Sequence, residues 1–216
     1  MRRDEALTTE ARERDLRATL RRVAELWRSD LYRYRADVSA RSFFFAYWSA
    51  PGFRYSVYHR LFHEFFPRLP FRESPRGIRA VTQRLAAAWL RRYAYRFGID
   101  IPISTKIGPG LFIGHFGGLV VNPYTSIGSN CNLSHGVTIG KAGGGDDMGW
   151  PTLGDNVYVA PGATLIGDIH IGDHAAIGAN SVVTSDVPAH AVVAGVPARV
   201  IGEGGSGDYV NNTWPP

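Results

Sequence analysis

The sequence predicts an α+β chain in two parts, a helical region followed by a stack of short parallel strands. Three observations carry this. Apolar residues recur at helical spacing through the first hundred residues, and at a period of six after Ile101. Charge divides at the same place, with 21 Arg against 11 Asp and Glu in residues 1–100 and 3 Lys and Arg against 8 acids in 101–216. The expected units are a helical region over 1–98, a coiled strand region over 99–202 and a flexible C-terminal tail over 203–216.

In the first region, Leu16, Leu20, Val23, Trp27 and Leu31 form a stripe within a helix expected over 9–34. An aromatic stretch, Phe43 to Trp48, ends at Pro51-Gly52. A third helix is expected from Phe53 to Phe66, with Tyr55, Tyr58, Leu61, Phe62 and Phe65 on its apolar side. Pro67, Pro70 and Pro75 then break the chain into a loop. A fourth helix is expected over 78–97, with Val81, Leu85, Ala88, Trp89 and Tyr93 facing inward.

In the second region, inward anchors fall at Ile101, Ile107, Ile113 and Leu119, then in shifted phase at Val121, Ile127, Leu133 and Ile139. They resume at Leu153, Val159, Leu165, Ile171, Ile177 and Val183. Small or aliphatic residues stand two places before many of them, among them Thr105, Cys131, Val137, Ala163, Ala175 and Ser181. A helix would need a period of 3.6. Period six instead fits a three-sided coil, one hexad per side, whose rungs stack through parallel strand hydrogen bonds and bury their anchors only as a stack. Two departures interrupt the register: a two-residue insertion beside His115, and a Gly-rich excursion from Lys141 to Thr152. Loops that project from a rigid scaffold are where binding groups usually sit.

Composition narrows the function classes. A lone Cys131 gives no disulfide framework, no apolar run is long enough to span a bilayer, and the charged first thirty residues do not read as a signal peptide. A cytoplasmic protein is the expectation. The arginines are scattered among acids rather than gathered beside stacking aromatics, so no nucleic-acid partner is expected. Solvated helix faces are the first reading for them, and a peripheral membrane contact the second. The dispersed histidines make no metal-ligand pattern.

The hexad run, with GLFIGHFGG at 110–118, GVTIGKAGGG at 136–145 and AGVPARVIG at 194–202, resembles the bacterial serine O-acetyltransferases of the hexapeptide-repeat superfamily. PGFRYSVYHRLFH at 51–63 resembles the last helices of their N-terminal domain. The resemblance implies a left-handed coil, acetyl-CoA as co-substrate, and direct acetyl transfer to an acceptor hydroxyl. It places the catalytic histidine at His115, its partner aspartate at Asp100 and an acceptor-binding aspartate at Asp37. It also implies contacts for the CoA arm at Gly140, Lys141, Gly143 and Ala160. Arg199 is a further candidate, because a guanidinium matches phosphate geometry. Asp146, Asp147 and Trp150 are candidate acceptor contacts in the excursion.

The chain departs from the family pattern at Gly114, where an acid normally precedes the histidine, and at Gly149-Trp150, where an Arg-His pair normally stands. GDDMGWPTLG at 145–154 resembles the loop of exopolysaccharide O-acetyltransferases, so L-serine or a close analogue is weighed against a sugar hydroxyl as acceptor. A non-catalytic scaffold is the third alternative. The superfamily's habit implies a trimer or a dimer of trimers. Docking to a cysteine synthase, which in the family uses a C-terminal isoleucine, is not expected of a chain ending Trp214-Pro215-Pro216.

Overall fold

The computed structural model of the chain describes residues 2–65, 76–143 and 149–215. Four helices come first: α1 (Arg2–Arg35), α2 (Ala40–Ser49), α3 (Pro51–Phe65) and α4 (Arg76–Phe97). Ser39 caps α2 by accepting from the Ser42 N–H. Pro51 opens α3, where its fixed φ suits the first helical position and its missing N–H costs nothing. The proline loop at 67–75 and Phe66 lie outside the described residues.

From Ile99 the chain winds into a prism of three parallel sheets. The first face runs from Ile99–Asp100 to Val182–Val183, the second from Lys106–Ile107 to His170–Ile171, and the third from Phe112–Ile113 to the closing Val192–Gly195 and Ala198–Gly202. Strand partners show the length of each coil. Ile113 sits over Leu133, twenty residues on; Leu133 sits over Val159, twenty-six on; Val159 sits over Ile177, eighteen on. Eighteen is the bare coil of three hexads. The first surplus of two falls beside His115, and the second, of eight, is the excursion after Gly140.

Every anchor expected to point inward does so, Ile107 only partly, and so do the small positions Thr105, Cys131, Val137, Ala163, Ala175 and Ser181. Cys131 is a core residue whose thiol pKa burial pushes up to about 12. One corner of successive coils holds Asn130, Asn156, His174 and His190 at φ of 56 to 61°, a left-handed conformation that asparagine tolerates better than most residues. His174 and His190 stack there with ring centroids 4.8 Å apart.

The helices cap the first coils. Their inward faces differ from the sequence expectation. In α1 only Val23 and Leu31 of the stripe are buried, Trp27 is partly so, and Leu16 and Leu20 are exposed. In α4, Leu90 is buried and Tyr93 and Phe97 pack on the core, whereas Val81, Leu85, Ala88 and Trp89 face outward. In α3, Tyr55 packs into the prism core as expected, but the rest of the side against the prism is polar. Arg60 donates to both oxygens of Asp30 (3.0 Å each) and to the carbonyls of Ile107 and Gly108 (2.6 Å each). Asp30 also accepts from the Leu111 N–H (2.8 Å). His59 contacts the Pro102 carbonyl, and His63 that of Ile103. The reason is geometric: the first coils present unpaired backbone groups to the cap, and only polar side chains can satisfy them.

The segment expected to be a flexible tail lies along the third face. The Ser206 N–H donates to the His174 carbonyl (2.8 Å), and Tyr209 stacks on Tyr158 at 4.5 Å. Trp214 bonds Asn130 in both directions and meets the Tyr32 ring. Two aromatic rings and these three hydrogen bonds hold in place a short segment that composition alone reads as loose.

Candidate active site

His115 is exposed at the corner between the third and first faces, in the widened turn Gly114–Gly118. Two glycines shape that turn. Gly117 and Gly118 have φ of 106° and 68°, which side-chain-bearing residues rarely adopt, and a Cβ on Gly118 would stand 3.2 Å from the Gly136 Cα below. One coil on, His135 brings its ring centroid 5.7 Å from that of His115, nearly edge-on at 79°. Sequence spacing alone does not single out His135 among the dispersed histidines. The signal lies in the coil length, since twenty residues is one full coil at this level.

Asp100 lies on the first strand of the first face, where its partner is Val120 rather than His115. Fifteen residues fall five short of the twenty-residue coil, so the two side chains flank one corner instead of stacking. The corner is close-packed: a Cβ on Gly98 would lie 2.9 Å from the Gly118 nitrogen. Among the described residues no hydrogen bond joins Asp100 to His115. Asp100 instead lines a groove of about 390 Å³ with Tyr55, Arg91, Tyr95 and Pro102.

The helical cap reaches the same end of the prism through Tyr34. Its hydroxyl accepts from the Ile113 N–H (2.8 Å) and donates to the Ile113 carbonyl (3.1 Å), two residues before His115. This approach requires Gly52, because a Cβ there would lie 2.3 Å from the Ile113 oxygen. Asp37 follows three residues after Tyr34. It is exposed, accepts from the Ser39 N–H and the Ser39 and Ser42 hydroxyls, and is held down to a pKa of about 2 by those bonds.

Two of the departures from the family pattern differ physically. Gly149 is buried against Asp168, and a Cβ would sit 2.1 Å from the Asp168 Cβ, so no larger residue fits without moving the chain. Gly114 is less confined: a Cβ there would meet only the Phe112 ring edge, at 3.3 Å, which a small shift of that side chain relieves. Trp150 lies against Tyr124 with centroids 4.7 Å apart. Asp146 and Asp147 lie outside the described residues.

The expected CoA contacts are spread along the prism. Gly140 ends a strand, its carbonyl accepting from the Gly167 N–H, and Lys141 and Gly143 are exposed where the excursion departs. Ala160 is buried on the third face. Arg199 is exposed in the closing antiparallel strand and borders a cavity of about 460 Å³ with Thr184, Ser185 and Asp186. From Ile113 to Val193 there are four rungs, about 19 Å along the axis, which only a long ligand would span. Among the described residues no group of three or more His, Cys, Asp or Glu is placed to hold a metal ion, and no helix is long and apolar enough to cross a membrane.

A hexad prism with a histidine at its widened corner and a helical cap is the architecture of a hexapeptide-repeat transferase. The family described as "Bacterial transferase hexapeptide (six repeats)" matches residues 151–185. The serine acetyltransferase of Synechococcus elongatus is 35% identical over 169 residues, covering 78% of this chain and 64% of that relative. The Neisseria gonorrhoeae serine acetyltransferase, solved in complex with serine, superposes with a TM-score of 0.69 at 29% identity, over 88% of this chain and 74% of the other. The Brucella abortus enzyme, solved in complex with coenzyme A, gives 0.68 at 32% identity over 83% and 68%.

The chain belongs to the serine acetyltransferase family, and its prism is that family's left-handed parallel β-helix. It spans somewhat less than two thirds of the Synechococcus relative's length.

Proposed function

We propose that the chain is an acetyl-CoA-dependent O-acetyltransferase with His115 as general base and L-serine or a close analogue as acceptor. The observation that carries this is an exposed histidine beside the two-residue insertion at a corner lined by glycine backbone, with Asp100 on the adjoining first strand and Tyr34, three residues before Asp37, bonded to Ile113. The acceptor hydroxyl attacks the thioester carbonyl while His115 takes its proton. The C–S bond then breaks, and the thiolate leaves as the proton returns to it. A histidine suits this because its pKa lies near neutrality.

Asp100 is assigned the second imidazole nitrogen, where it would fix the tautomer and stabilise the imidazolium. Asp37 is assigned the acceptor ammonium, since a carboxylate ionised down to about pH 2 is charged at any working pH. The donor is assigned to the line from Gly140, Lys141, Gly143 and Ala160 to Arg199, in keeping with the coenzyme A complex of the Brucella relative.

The first face supports a trimer with sites between neighbouring prisms. Beyond the site residue Asp100, its outward residues Val120, Thr138, Thr164 and Val182 carry no charge, while α1 and the C-terminal segment already cover the third face. A monomer by light scattering at micromolar concentration would refute the trimer.

A second reading, a sugar hydroxyl as acceptor, rests on the aromatic pair Trp150–Tyr124 where the family keeps charge. The test is CoA release with L-serine, L-homoserine, nucleotide sugars and glycosides, on the wild type and on His115→Ala. Saturable serine turnover that falls about 10²-fold or more in the variant is expected. Turnover within about threefold of wild type would remove His115 from the base role, because general base catalysis is worth far more than that. Activity on glycosides alone would favour the second reading.

A further inference from the structure

We propose that the outward face of α4 docks on an anionic lipid surface. The 22-residue helix carries six arginines and no acidic residue. Its outward line begins Val81, Leu85 and Trp89, spaced by four, with exposures of 53%, 65% and 40%. Arg92 and Arg96 continue the line, both exposed, and Tyr95 beside them is 81% exposed. An apolar stripe that runs into arginines, with a tryptophan and a tyrosine along it, is the composition of a helix lying in a membrane interface.

The arginines are available. Arg84, Arg91, Arg92 and Arg96 are exposed, and no carboxylate among the described residues forms an ion pair with any of them. Arg91, Arg92, Tyr95 and Arg96 line a shallow groove of about 620 Å³ on this face, roomy enough for a phosphate headgroup. Trp89 is anchored on its inner side by Tyr58 and Tyr93, at 4.4 and 4.6 Å, so it presents an edge without having to order first.

Charge decides between occupants. A second copy docking through α4 would set two helices of net charge about +6 against each other, which like-charge repulsion opposes. A nucleic acid would match the arginines but leave Val81 and Leu85 against a polar backbone. An anionic bilayer meets both, with hydrocarbon for the stripe and headgroups for the guanidinium groups. The exposed aromatics of α2 are a weaker candidate, since Arg35 already covers Phe45 and Arg54 lies over Trp48. Docking by α4 would also bring the groove holding Asp100 beside the lipid surface, because both grooves share Arg91 and Tyr95.

The test is co-sedimentation of the full chain with phosphatidylcholine vesicles, with and without about 30 mol% phosphatidylglycerol as the anionic component. Binding to the anionic vesicles is expected, with little to the neutral ones and a steep loss in salt. Leu85→Gln should weaken it about tenfold, and Arg92→Gln or Arg96→Gln about fivefold each. All three positions are exposed, so folding is not at stake, and circular dichroism checks it. Binding to neither vesicle overturns the proposal, as does equal binding to both. A fall in solution mass on Leu85→Gln without vesicle binding would assign the face to a second copy instead.

Discussion

The prism and the helical cap bury their side chains by different rules. In the prism each rung imposes the same environment on the next, so position within the hexad alone decides what faces inward. Leu133, Val159 and Ile177 stack in line and are almost wholly buried. The cap has no repeat. What α3 turns toward the prism is set by the backbone groups of the coil beneath it, and the result is a buried His59 and Arg60 beside Tyr55, each bonded to that backbone. Apolar packing is non-directional and tolerates small shifts. The polar joint depends on every bond being made.

Breaking the joint should therefore cost more than its size suggests. Asp30→Asn removes the charge that Arg60 is paired with, at 3% exposure for the arginine and 0% for the aspartate. A buried ion left without its partner costs about 3–5 kcal/mol. The prism should persist, because its own anchors are untouched. The expected outcome is a large drop in denaturant midpoint, with Tyr and Trp signals of the cap lost before the strand signal. A single transition displaced by less than about 1 kcal/mol would mean that the Arg60–Asp30 pair does not join the two regions.

The same contrast explains what the sequence made legible. The hexad positions from Ile101 to Val183 were readable because many rungs repeat one pattern, and the two irregularities were readable as breaks in it. His115 was found through resemblance, and its place beside a two-residue insertion agrees with the coil length. The pairing of His115 with His135 is hidden in the sequence because the insertion lengthens that coil from eighteen residues to twenty, off the hexad register. In the cap, helix existence was readable but helix orientation was not. Arg60 looks like a solvated residue until Asp30, thirty positions earlier, is known to lie opposite. The outward stripe of α4 looks like core for the same reason: spacing reveals an apolar face but not what covers it.

A smaller effect should separate the two regions by pH. His59 is buried, its Nε2 lies 3.0 Å from the Pro102 carbonyl oxygen, and its Nδ1 has no partner among the described residues. Burial, with Arg60 adding to it, lowers its pKa to about 3. The folded state thus holds a neutral ring while the unfolded chain protonates near the ordinary histidine value of about 6.5. Below that value the unfolded state binds more protons, so stability is fully present above about pH 6.5 and falls as pH drops toward 3. At pH 5 the loss is about 2 kcal/mol for this one group. His59→Gln keeps a donor for the Pro102 carbonyl and removes the titration. Between pH 7 and pH 5 the wild-type Tm should fall by more than that of the variant. Equal acid sensitivity in the two would mean that His59 is not the group through which acid loosens the cap. A prism anchor such as Leu165, remote from any titrating partner in the cap, gives the control: truncating it to Ala lowers Tm at both pH values and leaves the pH difference unchanged.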